Sequence, residues 1–273
     1  MAGRVESVGS NVEQFQPGDE VFGETATGNQ WHNAGAFAEY VSVAEEALAL
    51  KPANLTFEQA AAVPTSALIA LENLRDRIQP GQKVLINGAG GGLGTFAVQL
   101  AKSYGADVTG VDSAGKLDMV RSIGADHVID YIQEDFTQSG ERYDLILDIP
   151  GNHSMSELRR ALTPEGTYVL IGHDLFGASG GRFLGSGIPR FLKLLVSSPF
   201  VSQDMGLRFP KGTKEHLVAL KELLEAGKVT PVIDRTYPLS EVAEAIRYLE
   251  AGQASGKIVI TVWDPDHGSD QGR

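Results

Sequence analysis

The chain has 273 residues, a formal charge of −12 and no cysteine, a length that allows two domains with sizeable cores. The acidic balance argues against a nucleic-acid or anionic-membrane partner, because no basic excess is present to neutralise phosphates. Without cysteine, disulfides and thiolate metal sites are excluded within the chain.

The first stretch reads as β-rich. Pro17-Gly18-Asp19-Glu20-Val21-Phe22-Gly23 is a turn feeding a strand, and Gly35 to Val43 reads as another strand, alternating near its end. Lys51-Pro52-Ala53-Asn54 is a turn. Thr56 followed by Gln59 predicts a helix start, with an alanine-rich helix to Ala62. Pro64 breaks it, and a long helix from Thr65 to Asp76 leads to the Pro80-Gly81 turn.

Strands and helices then alternate. Val84-Leu85-Ile86 is a short buried strand, followed by Asn87-Gly88-Ala89-Gly90-Gly91-Gly92-Leu93-Gly94 and by apolar residues at helical spacing to Lys102. Strand, glycine turn and helix form the first half of a dinucleotide-binding unit. Glycines let the backbone approach a pyrophosphate, and the helix N-terminus offers unpaired N–H groups and a positive dipole end. The strict G-x-G-x-x-G pattern fails; the residues read Ala89-x-Gly91-x-x-Gly94. A second strand, Asp107 to Val111, ends at Asp112, about 20 residues past the glycines, where an acidic side chain can bind a ribose hydroxyl.

Farther on, Leu117 to Ile123 is a helix ended by Gly124, and His127-Val128-Ile129 is a short strand. Tyr143 to Asp148 is a clear strand, Ser154 caps a helix to Leu162, and Thr167 to Gly172 is the next strand. This alternation implies a parallel sheet wrapped on both faces, with ligand at the carboxyl ends of the strands, where the glycines, Asp112, Asp148 and Gly172 fall. Residues 182–212 mix Arg182, Arg190 and Lys193 with apolar residues and read as a helix capping the sheet, the alternative being a lid or membrane-touching stretch. Residues 213–226 make an amphipathic helix, Ser240 caps a helix to Glu250, and Lys257 to Val262 is a final strand. Asp264 to Arg273 reads as a loose tail. No apolar run reaches transmembrane length and no signal peptide opens the chain, so a soluble cytoplasmic protein is expected.

Pro-Gly-Asp-Glu-Val-Phe-Gly, Gly-Ala-Phe-Ala-Glu-Tyr, Lys-Pro-Ala-Asn-Leu, Ala-Ala-Val-Pro, the glycine run, Gly-Ala-Asp-His-Val-Ile-Asp-Tyr and the closing Gly-Lys-Ile-Val-Ile occur here in that order. Together they closely resemble the medium-chain dehydrogenase/reductase superfamily, and within it the quinone oxidoreductase (zeta-crystallin-like) branch, from Ala2 to about Val262. The resemblance implies an α/β fold, a Rossmann doubly wound parallel sheet inserted in a partial GroES-like β-domain. Residues 1–65 and 213–273 would form the catalytic domain, and 66–212 the NAD(P)-binding domain. Family members carry a further N-terminal segment with strands and polar groups near the nicotinamide. The sequence is therefore expected to begin inside that pattern, at an internal methionine or as a fragment.

The resemblance implies hydride transfer from NAD(P)H to a small-molecule quinone or α,β-unsaturated carbonyl, by a homodimer. Relatives that use zinc carry a four-cysteine lobe and a catalytic cysteine. Neither has a counterpart here, since Pro64-Thr65 occupy the latter place and the histidines show no ligand spacing, so no metal is expected. No catalytic residue is assigned; Tyr40 and Tyr131 are not placed for the role by any spacing. Cofactor binding is expected at Ala89, Gly91, Gly92, Leu93, Gly94, Asp112, Ser113, Lys116, Tyr131, Gly172 and Lys257. Lys116 and Tyr131 match positions that hold the 2′-phosphate in NADPH-using relatives, Ser113 could donate too, and Lys257 matches one that meets the pyrophosphate. Asp112 instead resembles the NAD-selecting residue, which would repel a 2′-phosphate. NADPH is the favoured cofactor, NADH the alternative. Ile69 stands where many relatives carry Thr, losing one hydroxyl.

Other readings are weaker on particular residues. A methyltransferase usually places an acidic residue before the glycine turn, where Asn87 stands. A short-chain dehydrogenase needs a Tyr with Lys four residues on, which none of the tyrosines has. Zinc-independent alcohol dehydrogenase-like activity and a non-catalytic NADPH-binding protein stand as alternatives.

Overall fold

The computed structural model describes residues 1–25, 35–171 and 214–262. The chain divides into two units: Met1–Ile69 with Lys211–Arg273, and Ala70–Pro210.

In the first unit, β1 (Ala2–Arg4), β2 (Glu20–Gly23) and β3 (Leu48–Leu50) form an antiparallel sheet in that order, with Ala2 opposite Phe22 and Phe22 opposite Ala49. Val21, Phe22, Leu48 and Ala49 are buried. The expected strand from Gly35 to Val43 does not form. No described strand lies alongside it, and Phe37 and Tyr40 are 60% and 74% exposed. A strand-like composition without a pairing edge gains no ladder bonds. Helix α1 (Phe57–Ala61) begins as its sequence predicts. Thr56 accepts from the Gln59 N–H, and the Gln59 side chain accepts from the Thr56 N–H. Pro64 then opens α2 (Pro64–Leu74) at a first-turn position, where its missing N–H costs nothing.

The amphipathic helix α6 (Lys214–Glu225) buries Leu217, Leu220 and Leu224, one stripe at helical spacing. Asn54 donates to the Leu224 carbonyl at 2.9 Å, which ties the Pro52-Ala53-Asn54 turn to the end of that helix. Strands β9 (Ile233–Pro238) and β10 (Lys257–Thr261) pair in parallel, with α7 (Val242–Glu250) between them in the chain. Ser240 does not cap α7. It lies in a 3₁₀ turn over Leu239–Glu241, and Glu241 stands at the cap position without a side-chain bond.

The second unit is built on a five-stranded parallel sheet, order β6-β5-β4-β7-β8, from β4 (Lys83–Asn87), β5 (Asp107–Asp112), β6 (His127–Asp130), β7 (Tyr143–Asp148) and β8 (Leu162–Leu170). The chain winds outward from β4 in one direction, then returns to its other side. Right-handed crossovers then place α3 (Gly94–Ser103) and α4 (Leu117–Ser122) on one face, and α5 (Met155–Ala161) on the other. This is the doubly wound Rossmann order, and its switch point lies between β4 and β7. Leu85, Ile86, Leu145, Ile146 and Leu147 are fully buried because both faces are covered. Each such side chain contributes roughly 1.5–3 kcal/mol.

Helix α5 carries the expected cap. Ser154 accepts from the Glu157 N–H, and Glu157 accepts from the Ser154 N–H. Strand β8 begins at Leu162, earlier than the expected Thr167. Leu162 pairs with Tyr143, and the register shifts before Leu145 meets Thr167, so Pro164 falls in the irregular part where no ladder N–H is required. The helix expected in 182–212 and the strand end at Gly172 lie outside the described residues.

Candidate cofactor-binding site

Hydrogen bonds hold the glycine loop between β4 and α3 in one shape. The Gly88 and Ala89 N–H groups both donate to the Val111 carbonyl, at 2.9 and 3.0 Å, and the Gly91 N–H donates to the Gly88 carbonyl at 3.2 Å. A Cβ at Gly94 would sit 2.0 Å from the Gly88 oxygen, so this glycine permits close packing of the helix start on the loop. Gly91 differs. Among the described residues, a Cβ there would meet only the Gly88 oxygen, at 3.5 Å. Gly91, Gly92 and Leu93 are half-buried, and among the described residues no backbone or side-chain group accepts from the Gly92 or Leu93 N–H. The Leu93 side chain makes no cap bond to α3. Glycine backbone whose Gly92 and Leu93 donors meet no acceptor among the described residues, at the head of a ten-residue helix, fits an anionic pyrophosphate.

Asp112 ends β5 beside this loop and is only 9% exposed. Its Oδ2 accepts from the Gly90 N–H at 2.7 Å, and its Oδ1 from the Ser113 N–H at 2.8 Å. The Lys116 ammonium stands 3.9 Å from Oδ1, an ion pair between largely buried side chains. Tyr131, just past β6, donates its backbone N–H to the Asp112 carbonyl at 3.3 Å, and the residue is 58% exposed. The structure thus brings together Ala89, Gly91, Gly92, Leu93, Gly94, Asp112, Ser113 and Lys116, with Tyr131 attached through its backbone. Lys257 belongs to the other unit. There its ammonium donates to Ser66 Oγ at 2.9 Å, and burial pushes its pKa down. Gly172 lies outside the described residues.

A second carboxylate, Asp148, falls at the ligand-facing strand ends expected from the sequence, which assigns it no role toward the cofactor. Asp148, fully buried at the end of β7, accepts from the Asn87 side chain at 2.9 Å, from the Gly151 N–H at 3.0 Å and from the Tyr168 hydroxyl at 2.8 Å. Asn87 and Asp148 are register partners on adjacent strands. Two polar residues ending two apolar strands were the available signal. Gly90 falls between the positions of the Ala-x-Gly-x-x-Gly pattern, which therefore assigns it no role.

Among the described residues, no group of three or more His, Asp or Glu side chains could hold a metal ion, and the chain has no cysteine. The residues present do not fit a cysteine-bearing zinc site. No described helix is long and apolar enough to cross a membrane.

Residues 123–260 match the zinc-binding dehydrogenase family, and residues 1–53 the alcohol dehydrogenase GroES-like domain. Over 281 residues the chain is 37% identical to the mitochondrial NAD(P)H oxidoreductase RTN4IP1 of Mus musculus, covering 96% of this chain and 69% of that protein. Over 268 residues it is 36% identical to the 2-methylene-furan-3-one reductase of Solanum lycopersicum, covering 95% of this chain and 62% of that one. The chain therefore spans only part of the length of these curated relatives. Among solved structures, it superposes on the quinone oxidoreductase from Coxiella burnetii with a TM-score of 0.81 and 28% identity, over 96% of this chain and 78% of that one.

Proposed function

The chain belongs to the medium-chain dehydrogenase/reductase superfamily and is an NAD(P)H-dependent oxidoreductase, and on that premise we propose that it reduces quinones or α,β-unsaturated carbonyls with NADPH and without zinc. The glycine loop is the observation that carries this reading. Its backbone is open at Gly91 and its donors head α3. Bound there, the nucleotide would supply a hydride to an electron-poor acceptor.

The chain's own residues bind and orient that nucleotide. The Gly92 and Leu93 N–H groups and the α3 dipole offset pyrophosphate charge. Lys116, Ser113 and Tyr131 are assigned to the 2′-phosphate. Gly172 and Lys257 are assigned to the cofactor on the family pattern alone. Residues 66–212 are the nucleotide-binding domain in this reading, and 1–65 with 213–273 are the catalytic domain. The zinc-free assignment rests on the absence of thiolate donors. We also propose a homodimer and a cytoplasmic location. The mouse relative is named as mitochondrial, so cell fractionation and light scattering test these two points.

The test is NADPH oxidation by the purified chain across a panel of quinones and enones, with and without a chelator. The expected result is acceptor-dependent oxidation that the chelator leaves intact, and no stoichiometric zinc on metal analysis. NADPH binding without turnover of any acceptor would replace this reading with a non-catalytic NADPH-binding protein. Alcohol oxidation lost with a bound zinc would overturn the zinc-free assignment.

A further inference from the structure

We propose that Asp112 is a positioning residue that latches the glycine loop through Gly90 and holds Lys116 beside it, so that this corner takes a 2′-phosphate and the carboxylate does not read a free 2′-hydroxyl. The inference rests on the nucleotide-binding reading above.

Both carboxylate oxygens are already engaged by the main chain. The 2.7 Å bond from the Gly90 N–H lies in the short, charge-assisted range, and the Ser113 N–H at 2.8 Å takes the other oxygen. Ser113 Oγ lies 3.4 Å from that second oxygen, and the Lys116 ammonium 3.9 Å from it. Two N–H dipoles and one cation thus face a carboxylate that is 9% exposed. Turning Asp112 outward to accept from a ribose would leave the buried Gly90 N–H without its acceptor, which is expensive.

Packing points the same way. A Cβ on Gly90 would lie 2.8 Å from Lys116 Cβ, 2.9 Å from Lys116 Cδ and 3.0 Å from Asp112 Oδ2. The loop therefore touches both the carboxylate and the lysine stem, and Gly90 is a glycine because those two side chains occupy the space a side chain would need. An acidic residue at this strand end is ordinarily expected to repel a 2′-phosphate. Here the lysine ammonium beside it offsets that charge locally, and the repulsion is correspondingly reduced.

The test uses amide hydrogen exchange on the nucleotide-free chain and, separately, titration of NADPH and NADH, in wild type, Asp112→Ala and Asp112→Asn. The expected result is a Gly90 amide that exchanges about tenfold or more faster in Asp112→Ala. Amides within α3, such as Leu100, should be unchanged. Asp112→Asn, which keeps one neutral acceptor, should fall between. Both nucleotides should bind more weakly in Asp112→Ala, with no gain for NADPH. If Asp112→Ala does not fold, Asp112→Asn carries the comparison alone. A Gly90 amide that exchanges equally in wild type and the variants overturns the latch and leaves the proposed function standing. Tighter NADPH with weaker NADH in either variant also overturns it, and returns Asp112 to direct ribose reading. A wild-type chain that binds neither nucleotide overturns the proposed function and the phosphate role together, a result the exchange data cannot imitate.

Discussion

The Asn87 side chain donates to Oδ1 of Asp148 across 2.9 Å, joining the carboxyl ends of β4 and β7 at the point where the strand order reverses. Gly151 and Tyr168 donate to the same buried carboxylate. A buried charge is tolerable when its lone pairs are filled, and removing it takes an acceptor from three donors at once. Asp148→Ala should therefore destabilise the fold by about 3 kcal/mol or prevent folding, while Tyr168→Phe should cost about 2 kcal/mol. Chemical denaturation of both variants gives the comparison. A Tyr168→Phe chain as stable as wild type would show that this hydroxyl adds nothing.

Two glycines of one loop should behave differently. At Gly94 an added Cβ would meet backbone, 2.0 Å from the Gly88 oxygen and 2.7 Å from Ala89 Cα, and backbone cannot give way cheaply. At Gly91 the nearest atom among the described residues would be 3.5 Å away, an ordinary contact. Gly94→Ala should lose stability or solubility. Gly91→Val should fold normally and lose nucleotide affinity, because its side chain would project where the pyrophosphate backbone contact is made. Circular dichroism and nucleotide titration separate the two. A folded Gly91→Val protein with undiminished affinity would remove the loop from the binding site.

The elements legible in the sequence are those whose signal is local. Val84 to Ile86 and Leu145 to Leu147 are apolar runs because both faces of their sheet are covered, and Thr56 with Gln59 announces its own capping box. What failed depends on partners far along the chain. Gly35 to Val43 has strand composition but no described strand beside it. Strand β9 carries Asp234 and Arg235, reads as polar, and becomes a strand by pairing with β10. In the site, residue types and spacing pointed to Asp112 and Lys116. That Asp112 bonds Gly90 follows from loop geometry, which no spacing rule contains. Asp148 was visible only as one more acidic strand end.

Asp126 gives a pH-dependent contribution of known sign. Partial burial alone would raise its pKa, but the Lys102 ammonium at 2.8 Å and the Val108 N–H at 2.8 Å outweigh that and hold it below the ordinary aspartate value. A carboxyl depressed in the folded state stabilises fully above its unfolded pKa, and that stabilisation disappears as pH falls through the folded value. The pair is about a third exposed on each side, so solvent and salt screen it and its contribution is small. Asp126→Asn should lower the urea midpoint slightly at pH 7, and the gap to wild type should close in acid below the ordinary aspartate range. A gap of equal size at both ends would assign the effect to packing.

Lys116 offers the sharpest discrimination between cofactors. Its ammonium lies beside Asp112, and its stem packs on Gly90 at the edge of the loop. A compact cation there suits a 2′-phosphate as a point charge. NADH offers only a neutral hydroxyl at that position, so losing the charge should matter to one nucleotide and barely to the other. A single contact of this kind is worth about 1 kcal/mol, a several-fold change in affinity. Lys116→Ala should weaken NADPH several-fold and leave NADH nearly unchanged, and added salt should narrow the difference. Because removing the lysine also uncovers the Asp112 charge, Lys116→Ala with Asp112→Asn tests whether the loss comes from missing attraction or from exposed repulsion. The latch loss lowers both nucleotides together, so the ratio of NADPH to NADH affinity is the readout. If missing attraction dominates, that ratio in the double variant stays as low as in Lys116→Ala. If exposed repulsion dominates, the ratio recovers. Equal weakening of NADPH and NADH by Lys116→Ala would exclude the 2′-phosphate role and leave Lys116 as the counter-ion of the latch alone.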